Sequence, residues 1–354
     1  MIRPKKYLKN VERDVQLYDT RDGLTRLDMN EYLPFANKKL YEELFNKINN
    51  ETLSSYPMVN LAYKAISNFI NEPIEKLVLT HGSDGVILST LLAFCEPQDT
   101  ISFITPTYGM YQVYADMLNL KTKTIEYKKD FSIDLKEIEE AITKDIKVMI
   151  IANPNGIVGE ELDKDFILKL IEKANKIGVV ILIDEVYADF QDFGKSRFAK
   201  YTNEYDNLII ARSFSKSFGL AGLRAGYSIS NAETRKYLIA VRNNVEINSV
   251  AVEAIKIWCQ HEDWLDESIE EILSSKKYVC NELSKVGVRC IEGKANFILI
   301  KVPEEKRENM KQILKDNNII IKSIESVFEG YWRITVGTKE YMKKFVDIMK
   351  ENLK

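Results

Sequence analysis

From about residue 75 to residue 230, short apolar runs alternate with stretches in which apolar positions recur every three or four residues. The runs are apolar at nearly every position, which is typical of strands buried on both faces of a sheet. They are LVLT (77–80), TISFI (100–104), KVMIIA (147–152), VVILID (179–184), NLIIAR (207–212) and AGYSI (225–229). We therefore predict a strand in each run.

The stretches between these runs have the period of amphipathic helices. FILKLIEKANKIG (166–178) is an example, and its closing Gly178 is suited to a helix C-cap. Strands that alternate with helices form βαβ units, whose strands are parallel and whose helices cover the sheet. The pattern predicts an α/β fold with a mostly parallel sheet flanked by helices.

The pattern changes beyond Asn248. A helical region rich in Glu and Lys runs to about Lys285, and shorter elements follow it. These are the strand-like runs NFILIKV (296–302), IIIKS (319–323) and WRITV (332–336), a helix around 306–317 and a last helix. We predict a large domain over 46–245 and a smaller α+β domain over 246–354, with segment 1–45 packing on the small domain.

Composition and charge argue against several classes of function. The 354 residues include 50 basic and 53 acidic side chains without a long run of one sign, which disfavours nucleic-acid or membrane-surface binding. The first thirty residues lack a signal-peptide core and no stretch reaches membrane-spanning length, so we expect a cytoplasmic protein. The four cysteines lack metal-ligand spacing and are interpreted as free thiols. Two histidines are few for zinc or serine-triad chemistry, so we expect no metal and favour an organic cofactor.

Three candidate loops follow strands of the predicted sheet, where the ligands of parallel sheets collect. The first is His81-Gly82-Ser83-Asp84-Gly85, between LVLT and the helical run VILSTLLAF. The free backbone N–H groups at a helix start suit a phosphate. An ordinary strand-to-helix turn explains the same residues and remains the alternative.

The second candidate loop begins with Asp184 and Glu185 at the end of an apolar run, and Tyr187 follows. A buried carboxylate is costly unless a cation or a hydrogen-bond donor faces it. A protonated pyridine nitrogen would be such a partner, and a helix N-cap is the alternative.

The third loop, SFSKSFGLAGLR (213–224), places Lys216 between two serines and ends at Arg224. Imine formation with an aldehyde needs a lysine amine in a dry site. A dianionic phosphate needs hydroxyl donors and a forked guanidinium. One loop supplies both, which favours a cofactor site over a surface loop rich in Ser and Lys.

The segment SFSKSFGLAGLRAGY (213–227) resembles the cofactor-lysine motif of the aspartate-aminotransferase superfamily, fold type I, and most closely its histidinol-phosphate aminotransferase group. The resemblance continues in the same order over nearly the whole chain. The further matching segments are DMNEY (28–32), SSYP (54–57), GSDG (82–85), AFCEP (93–97), TPTYGMY (105–111), NPNGIVG (153–159), IDEVYADF (183–190), ANF (295–297) and WRITVGT (332–338). It implies a homodimeric aminotransferase that uses pyridoxal phosphate and has a large cofactor domain and a smaller domain built from both chain ends.

Carried over by position, the resemblance implies a role for each matching residue. Lys216 would bind the cofactor aldehyde and move the proton between Cα and C4′, and Asp184 would pair with the pyridinium nitrogen. The ring would be held by Tyr187, Asn155 and the stacked Tyr108. The phosphate would be bound by Gly82, Ser83, Asp84, Ser213, Ser215, Arg224 and Tyr56 of the partner subunit. The substrate would be bound by Arg333, which grips its α-carboxylate, and by Asn30 and Lys322. For Tyr56 and Tyr108 a core aromatic position is the alternative.

The sequence departs from the pattern of this group in several places. NPNGIVG replaces the usual NPNNPTG or NPNAPTG, which leaves open whether Asn153 or Asn155 faces the cofactor. Lys322 stands where the group carries an arginine for the substrate phosphate, the next loop is shorter, and a tyrosine-bearing PY motif is missing near the start. Lysine binds a phosphate as a point charge without the planar, two-pronged fit of arginine. We therefore predict a small substrate, phosphorylated or not, and expect histidinol phosphate to be a poor one.

The predicted reaction is transamination in two stages, with glutamate as amino donor and a keto or aldehyde compound as acceptor. Decarboxylation of a phosphorylated amino acid is the alternative within the same chemistry, because the bond perpendicular to the ring breaks and the sequence does not define that angle. A nicotinamide dehydrogenase is disfavoured because Gly219, Gly222 and Gly226 lack the G-x-G-x-x-G spacing. An inactive homologue is disfavoured because Lys216 and Asp184 are both present.

Overall fold

A computed structural model describes residues 5–11, 21–32 and 38–353, which form two sheets surrounded by helices. The strands are β1 (Thr25–Leu27), β2 (Leu77–Thr80), β3 (Thr100–Thr105), β4 (Lys121–Glu126), β5 (Ile146–Ala152), β6 (Val180–Asp184), β7 (Leu208–Ser213), β8 (Gly226–Ile229), β9 (Arg289–Ile291), β10 (Phe297–Lys301), β11 (Ile319–Ser323) and β12 (Tyr331–Thr335). The α-helices are α1 (Lys38–Lys47), α2 (Asn50–Ser54), α3 (Val59–Ile70), α4 (Gly82–Phe94), α5 (Met110–Met117), α6 (Leu135–Ala141), α7 (Lys164–Ile177), α8 (Asp189–Asp192), α9 (Ala232–Val241), α10 (Ser249–Gln260), α11 (Glu262–Ser284), α12 (Glu304–Asp316) and α13 (Lys339–Leu353). Short 3-10 helices cover Lys6–Asn10, Ile74–Lys76, Ala199–Asn203 and Ala221–Leu223.

The larger sheet has the strand order β2-β8-β7-β6-β5-β3-β4. Its strands are parallel except β8, which is antiparallel to both of its neighbours. Each of the six predicted runs is a strand of this sheet, so the predicted α/β fold is confirmed. The runs are apolar throughout because both faces are covered: in β6, Ile181 and Ile183 pack in one core cluster and Leu182 in the other.

The edge strand β4 was not predicted. Its sequence KTKTIE carries one buried apolar side chain, Ile125, and the other five residues are exposed. A strand at the edge of a sheet is covered on fewer sides, and charged side chains there also discourage pairing with other chains. An apolar pattern therefore cannot reveal it.

The helix α7 shows how local sequence sets the limits of an element. It begins after Asp163, whose side chain accepts hydrogen bonds from the next backbone N–H groups, as an N-cap does. It ends before Gly178, which has φ +76°. Glycine adopts this left-handed conformation without the steric cost of a side chain, so the predicted C-cap is observed.

The smaller sheet has the order β1-β11-β12-β10-β9 and joins both ends of the described chain. β1 pairs in parallel with β11, with Thr25 opposite Ile319. In contrast, the 3-10 helix Lys6–Asn10 lies against α5, the helix between β3 and β4 of the larger sheet. The remainder of the predicted N-terminal segment includes residues that lie outside the described ones.

The predicted domain limits remain predictions, although one contact bears on them. α10 begins just after residue 245, and its buried Ile255 and Trp258 belong to the same core cluster as Ile66 of α3. Within the described residues, no helix is both long enough and apolar enough to cross a membrane. The cysteines Cys95, Cys259, Cys280 and Cys290 are all free.

Candidate active site

The carboxyl ends of β5, β6 and β7 meet the start of α4 and form one pocket. This is the edge at which open parallel sheets bind their ligands. The pocket is lined by Ser83, Asp84, Tyr108, Tyr111, Ala152, Pro154, Gly156, Ile157, Asp184, Val186, Tyr187, Ser213, Ser215, Lys216, Arg224 and Arg333. Ten of the fifteen predicted site residues are among them.

Lys216 lies in the loop after β7, and its amine is in the pocket. Nζ donates a hydrogen bond to the carbonyl oxygen of Met29 at 3.0 Å and lies 5.6 Å from the centre of the Tyr187 ring. The loop is tightened by a hydrogen bond from the N–H of Ser215 to the hydroxyl of Ser213, at 3.1 Å. Among the described residues no carboxylate lies within ion-pair distance of Nζ, so the amine is available for reaction.

Asp184 ends β6, and its carboxylate is almost completely buried. Oδ2 accepts a hydrogen bond from the Tyr111 hydroxyl at 2.6 Å, and Oδ1 accepts one from the backbone N–H of Val186 at 3.2 Å. Burial raises the pKa of the Asp184 carboxyl from 3.8 to about 6, while these hydrogen bonds oppose the rise. No cation of the described chain lies within ion-pair distance of this carboxylate.

The start of α4 forms the opposite end of the pocket. Ser83 and Asp84 lie in its first turn, and Asp84 holds Nη2 of Arg224 at 3.1 Å and the Tyr108 hydroxyl at 2.9 Å. Gly82 has φ +66°, and a Cβ there would lie 3.2 Å from Nη2 of Arg224. Glycine thus lets the helix start and the guanidinium approach each other. N–H groups, hydroxyls and a guanidinium together suit a phosphate.

Arg333 projects from β12 into the pocket. Nη1 donates to the carbonyl oxygen of Gly156 and Nη2 to that of Asp28, both at 2.7 Å. Nε is buried and makes no hydrogen bond, and the guanidinium lies 5.4 Å from the centre of the Phe297 ring. Burial lowers the pKa of the guanidinium. Within the described residues no carboxylate lies at ion-pair distance, so this buried cation lacks an anion.

Hydrogen bonds link Tyr187 to the smaller sheet through Asn30. Nδ2 of Asn30 donates to the Tyr187 hydroxyl at 2.9 Å, and the Thr335 hydroxyl donates to Oδ1 of Asn30 at 3.1 Å. The Asn296 amide donates to the carbonyl oxygen of Asn30 at 3.0 Å. Asn296 and Thr335 lie in the segments ANF and WRITVGT but were not singled out as site residues. Asn30 therefore supports the pocket from behind Tyr187.

Asn155 also lies behind the pocket wall. Its Oδ1 accepts hydrogen bonds from the N–H groups of Ile157 and Val158, at 2.8 and 3.0 Å. Nδ2 donates to the carbonyl oxygen of Pro106 at 3.0 Å. Oδ1 of Asn153 accepts a backbone N–H at 2.7 Å. Both amides shape the loop, and which of them faces a cofactor stays a prediction.

Five predicted site residues do not line this pocket: Gly82, Asn30 and Asn155, described above, and Tyr56 and Lys322. Tyr56 is 90% exposed and lies beside the start of α3. Lys322 is exposed on β11 directly opposite Arg333 in the antiparallel pair with β12. Directly opposite residues of such a pair project from the same face of the sheet, so Lys322 lies beside the pocket on the Arg333 side.

Tyr111 belongs to the pocket but not to the predicted set. The segment TPTYGMY carries Tyr108 and Tyr111 three positions apart, a spacing that brings side chains together at a helix start. Tyr108 is 42% exposed, whereas Tyr111 is fully buried against Asp184. The spacing is therefore the sequence signal that points to the second tyrosine.

Sequence reasoning also missed a buried ion cluster around Arg212. Its guanidinium contacts Glu185 at 2.8 Å and one oxygen of Asp189, whose other oxygen accepts the Ser217 hydroxyl. Burial raises the pKa of both carboxyls, and Arg212 opposes the rise. The cluster ties the loop after β6 to the residue that follows Lys216, and removing one partner of such a pair costs about 3–5 kcal/mol. A lone arginine ending the apolar run NLIIAR is the signal in the sequence.

The predicted cofactor, pyridoxal phosphate, fits the chemistry of this pocket. Its aldehyde needs an amine, its ring nitrogen a carboxylate, and its phosphate a group of N–H, hydroxyl and guanidinium donors. Lys216, Asp184 and the α4 start with Arg224 present these groups. The Asp184 carboxylate is the strongest observation, because it is buried without a cation and a pyridinium would supply one.

Known proteins resemble this chain over almost its whole length. Residues 22–349 match the profile of the family described as aminotransferase class I and II. The chain is 30% identical to the histidinol-phosphate aminotransferase of Clostridium botulinum (strain Kyoto / Type A2), over 98% of each chain.

Solved structures share the fold. The crystal structure of the histidinol-phosphate aminotransferase from Clostridium acetobutylicum has a TM-score of 0.80 and 25% identity, and covers 93% of this chain and 98% of that one. The corresponding enzyme from Sinorhizobium meliloti, in complex with pyridoxal-5′-phosphate, has a TM-score of 0.84 at 17% identity, over 100% and 95% of the two chains. The arrangement of both sheets is therefore that of these enzymes.

Proposed function

Because the chain belongs to the aminotransferase class I and II family, we propose that it moves an amino group between glutamate and a small, phosphorylated keto or aldehyde acceptor. It is a pyridoxal-phosphate-dependent transaminase. The observation that carries the proposal is that one pocket combines the Lys216 amine, the buried Asp184 carboxylate and the Arg333 guanidinium.

Bound pyridoxal phosphate supplies an electron sink that weakens the bonds at the substrate Cα. With the cofactor bound, the Lys216 amine would be the base that takes the proton from the substrate Cα and moves it to C4′. Asp184 would keep the ring nitrogen protonated, and Tyr187, which accepts a hydrogen bond from Asn30, would donate to the ring oxygen. The start of α4 and Arg224 would bind the phosphate and so fix the ring between these groups.

Glutamate as donor is supported by the state of Arg333. The guanidinium is buried, its Nε lacks a partner, and no carboxylate of the described chain neutralises it. A substrate α-carboxylate would accept two parallel N–H bonds from such a fork. The two backbone carbonyls that hold Arg333 keep it pre-oriented for that anion.

A phosphorylated acceptor is supported by Lys322. It lies opposite Arg333 on the same face of the smaller sheet, and its side chain is exposed. Its ammonium provides a second positive charge for a substrate that carries an anion at the end opposite its α-carbon. A point charge tolerates several phosphate positions, whereas a guanidinium selects one geometry.

A homodimer is the proposed assembly. Tyr56 is 90% exposed, and Leu53 and Met58, which line the same surface depressions, are 70% and 66% exposed. Exposed apolar side chains that cluster in this way are typical of protein interfaces. Through this surface, each Tyr56 would reach the phosphate site of the partner subunit.

Mixing two inactive variants tests this arrangement. If each site uses Lys216 of one chain and Tyr56 of the other, a hybrid of Lys216→Ala and Tyr56→Ala chains contains one intact site. After random exchange of equal amounts, about one quarter of the sites should be active. We expect that recovery in kcat after mixed refolding, with each variant refolded alone as control. No recovery in dimers shown by mass to be hybrid would place Tyr56 outside the partner's site.

The substrate assignment is tested by a panel with glutamate as the common donor. We expect small phosphorylated keto acids or aldehydes to give the largest kcat/KM. The ketone that corresponds to histidinol phosphate, with a carbonyl in place of its amino group, should be a poor acceptor. Lys322→Gln should lower kcat/KM for phosphorylated acceptors about tenfold, the loss of roughly one charge-assisted contact, and leave unphosphorylated acceptors unchanged.

Lys315→Gln, which removes an exposed lysine from α12 without touching β12, is the matched control. One 2-oxoglutarate per amine formed supports transamination, whereas release of carbon dioxide from a phosphorylated amino acid would establish the decarboxylase instead. If histidinol phosphate gives the highest kcat/KM in the reverse direction, the interpretation of Lys322 is wrong and the transaminase assignment stands.

A further inference from the structure

We propose that Tyr111 is a positioning residue, whose hydroxyl holds the Asp184 carboxylate ionised and oriented for the ring nitrogen of the cofactor. The inference rests on the proposed function, because it assigns to Asp184 the task of pairing with that nitrogen. Tyr111 would act only through Asp184, and its hydroxyl would not touch the reacting atoms of the substrate.

The geometry gives the phenol one task. Tyr111 is fully buried at the start of α5, and its hydroxyl lies 2.6 Å from Oδ2 of Asp184. Its ring packs edge-on against Phe103 and Tyr108, with centroids 5.8 and 6.0 Å apart. A hydrogen bond to an ionised acceptor contributes about 1.5–3 kcal/mol, more than one between neutral groups. The hydroxyl therefore favours the ionised carboxylate, while the ring provides ordinary packing.

The other groups around Asp184 do not replace this hydrogen bond. The Lys216 amine favours the ionised carboxylate from a distance, and the nearby Asp84 carboxylate disfavours it. Asp84 is itself held by Arg224 and the Tyr108 hydroxyl. On the loop after β6, the Val186 N–H donates to the other carboxylate oxygen, and the Tyr187 hydroxyl, which accepts from Asn30, makes no hydrogen bond to Asp184. Tyr111 is thus the one side chain of the described residues that donates to Asp184.

The protonation of Asp184 is therefore sensitive to Tyr111. Burial raises the pKa of the Asp184 carboxyl to about 6, and the Tyr111 hydrogen bond is the first effect that opposes the rise. Burial also raises the pKa of the Tyr111 phenol well above its ordinary range, so the phenol stays a donor throughout the working pH range. Without the hydroxyl, Asp184 would hold its proton at higher pH and meet the ring nitrogen as a neutral acid.

The test is the pH dependence with which the full-length, cofactor-free protein binds pyridoxine 5′-phosphate. This probe has the ring nitrogen and the phosphate but no aldehyde, so its affinity does not depend on reaction with Lys216. In the unchanged protein, we expect affinity to fall as pH drops through the pKa of Asp184, because the carboxyl must lose its proton to face a pyridinium. In Tyr111→Phe the midpoint of this fall should move up by about one pH unit.

Two variants serve as controls. In Asp184→Asn the fall in affinity that comes from Asp184 should be absent. Only the pH dependence caused by the phosphate of the probe, which is the same in every variant, should remain. Tyr63→Phe removes another buried hydroxyl, which accepts the N–H of Leu79 at 3.0 Å, without touching Asp184. It should keep the midpoint of the unchanged protein. A weaker affinity at every pH with an unmoved midpoint in Tyr111→Phe would reduce Tyr111 to a packing residue and overturn the proposal.

A second measurement does not require the probe. The free energy of unfolding of the cofactor-free protein is measured against pH, with and without the Asp184→Asn substitution. The difference between the Asp184 protein and its Asp184→Asn variant reports the pKa of Asp184, both with Tyr111 present and in Tyr111→Phe. Its inflection should lie higher in the Tyr111→Phe background, and an equal inflection would contradict the proposal. If instead Asp184→Asn binds the probe with unchanged affinity and pH dependence, the pairing of Asp184 with the ring has failed, and with it the proposed function of that residue.

Discussion

Transamination should disappear when Lys216 is replaced with alanine, and the visible absorbance of the bound cofactor should disappear with it. In the proposed function the amine is the nucleophile that holds the cofactor and the base that moves the substrate proton, and alanine can do neither. The fold should remain, because Lys216 is partly exposed and its amine donates a hydrogen bond to the Met29 carbonyl at 3.0 Å. The loss should exceed about a thousandfold in kcat, or about 4 kcal/mol of barrier.

The measurement combines kcat, the absorbance spectrum and circular dichroism of the variant. Lys195→Ala is the matched control, since Lys195 is an exposed lysine that does not line the pocket. Reduction of the unchanged protein with borohydride should attach the cofactor to the peptide that contains residue 216. A peptide from another part of the chain, together with activity in Lys216→Ala, would show that the cofactor lysine lies elsewhere.

The Asp184→Asn variant should be much slower and yet, without cofactor, more stable. A carboxylate is needed to keep the ring nitrogen protonated, so kcat should fall by orders of magnitude while cofactor binding suffers less; each tenfold loss corresponds to about 1.4 kcal/mol of barrier. The gain in stability follows from burial. In the folded chain the pKa of Asp184 is raised from 3.8 to about 6, so ionising it there costs free energy.

The direction of the change in stability with pH follows from proton binding. Between the two pKa values the folded chain binds the Asp184 proton and the unfolded chain does not, so stability falls as pH rises from 3.8 to about 6. Above both values the cost is complete and amounts to at most about 3 kcal/mol. Asparagine carries no charge to desolvate, and its amide oxygen still accepts from Tyr111. We therefore expect Asp184→Asn to unfold at higher denaturant concentration at pH 8, with little difference near pH 4.

Denaturation of cofactor-free protein at several pH values checks this result. Asp165→Asn, at an exposed position of α7, is the control and should change the free energy of unfolding by less than about 0.5 kcal/mol. Unchanged turnover in Asp184→Asn would reduce Asp184 to a turn residue that caps the Val186 N–H. Reduced stability at pH 8 would mean that the carboxylate has a cationic partner in the cofactor-free protein.

The two results together would describe a compromise at the carboxyl end of β6. The folded chain keeps an ionisable group where burial penalises its charge, and in the proposed function the cofactor nitrogen would provide the missing cation. Active sites commonly contain such groups, because a pre-formed charge without a partner is ready for its ligand. The same reasoning applies to Arg333, which is buried with an unpaired Nε.

The positions of six strands of the larger sheet along the chain, and of the loops that carry chemistry, could be predicted from sequence because the signals are local. Runs such as VVILID are apolar at every position only when both faces of a strand are covered. A glycine-rich turn before α4 and the Ser-Lys-Ser loop after β7 then fall at the carboxyl ends of strands, which in a parallel sheet share one edge. β4 and β9 escaped prediction, because short or edge strands with polar side chains carry no such pattern.

By itself, then, the sequence determined the α/β class, the position of Lys216 and Asp184 at strand ends, and the family to which these loops belong. The tertiary structure decided which polar groups meet. It paired Arg212 with Glu185 and Asp189 across 27 and 23 positions, and Tyr111 with Asp184 across 73. It also placed Arg333 against carbonyl oxygens 177 and 305 positions away. Such contacts have no local signature, because the partners are chosen by burial: once buried, each polar group must find a donor, acceptor or countercharge among whatever side chains the packed sheets bring within reach.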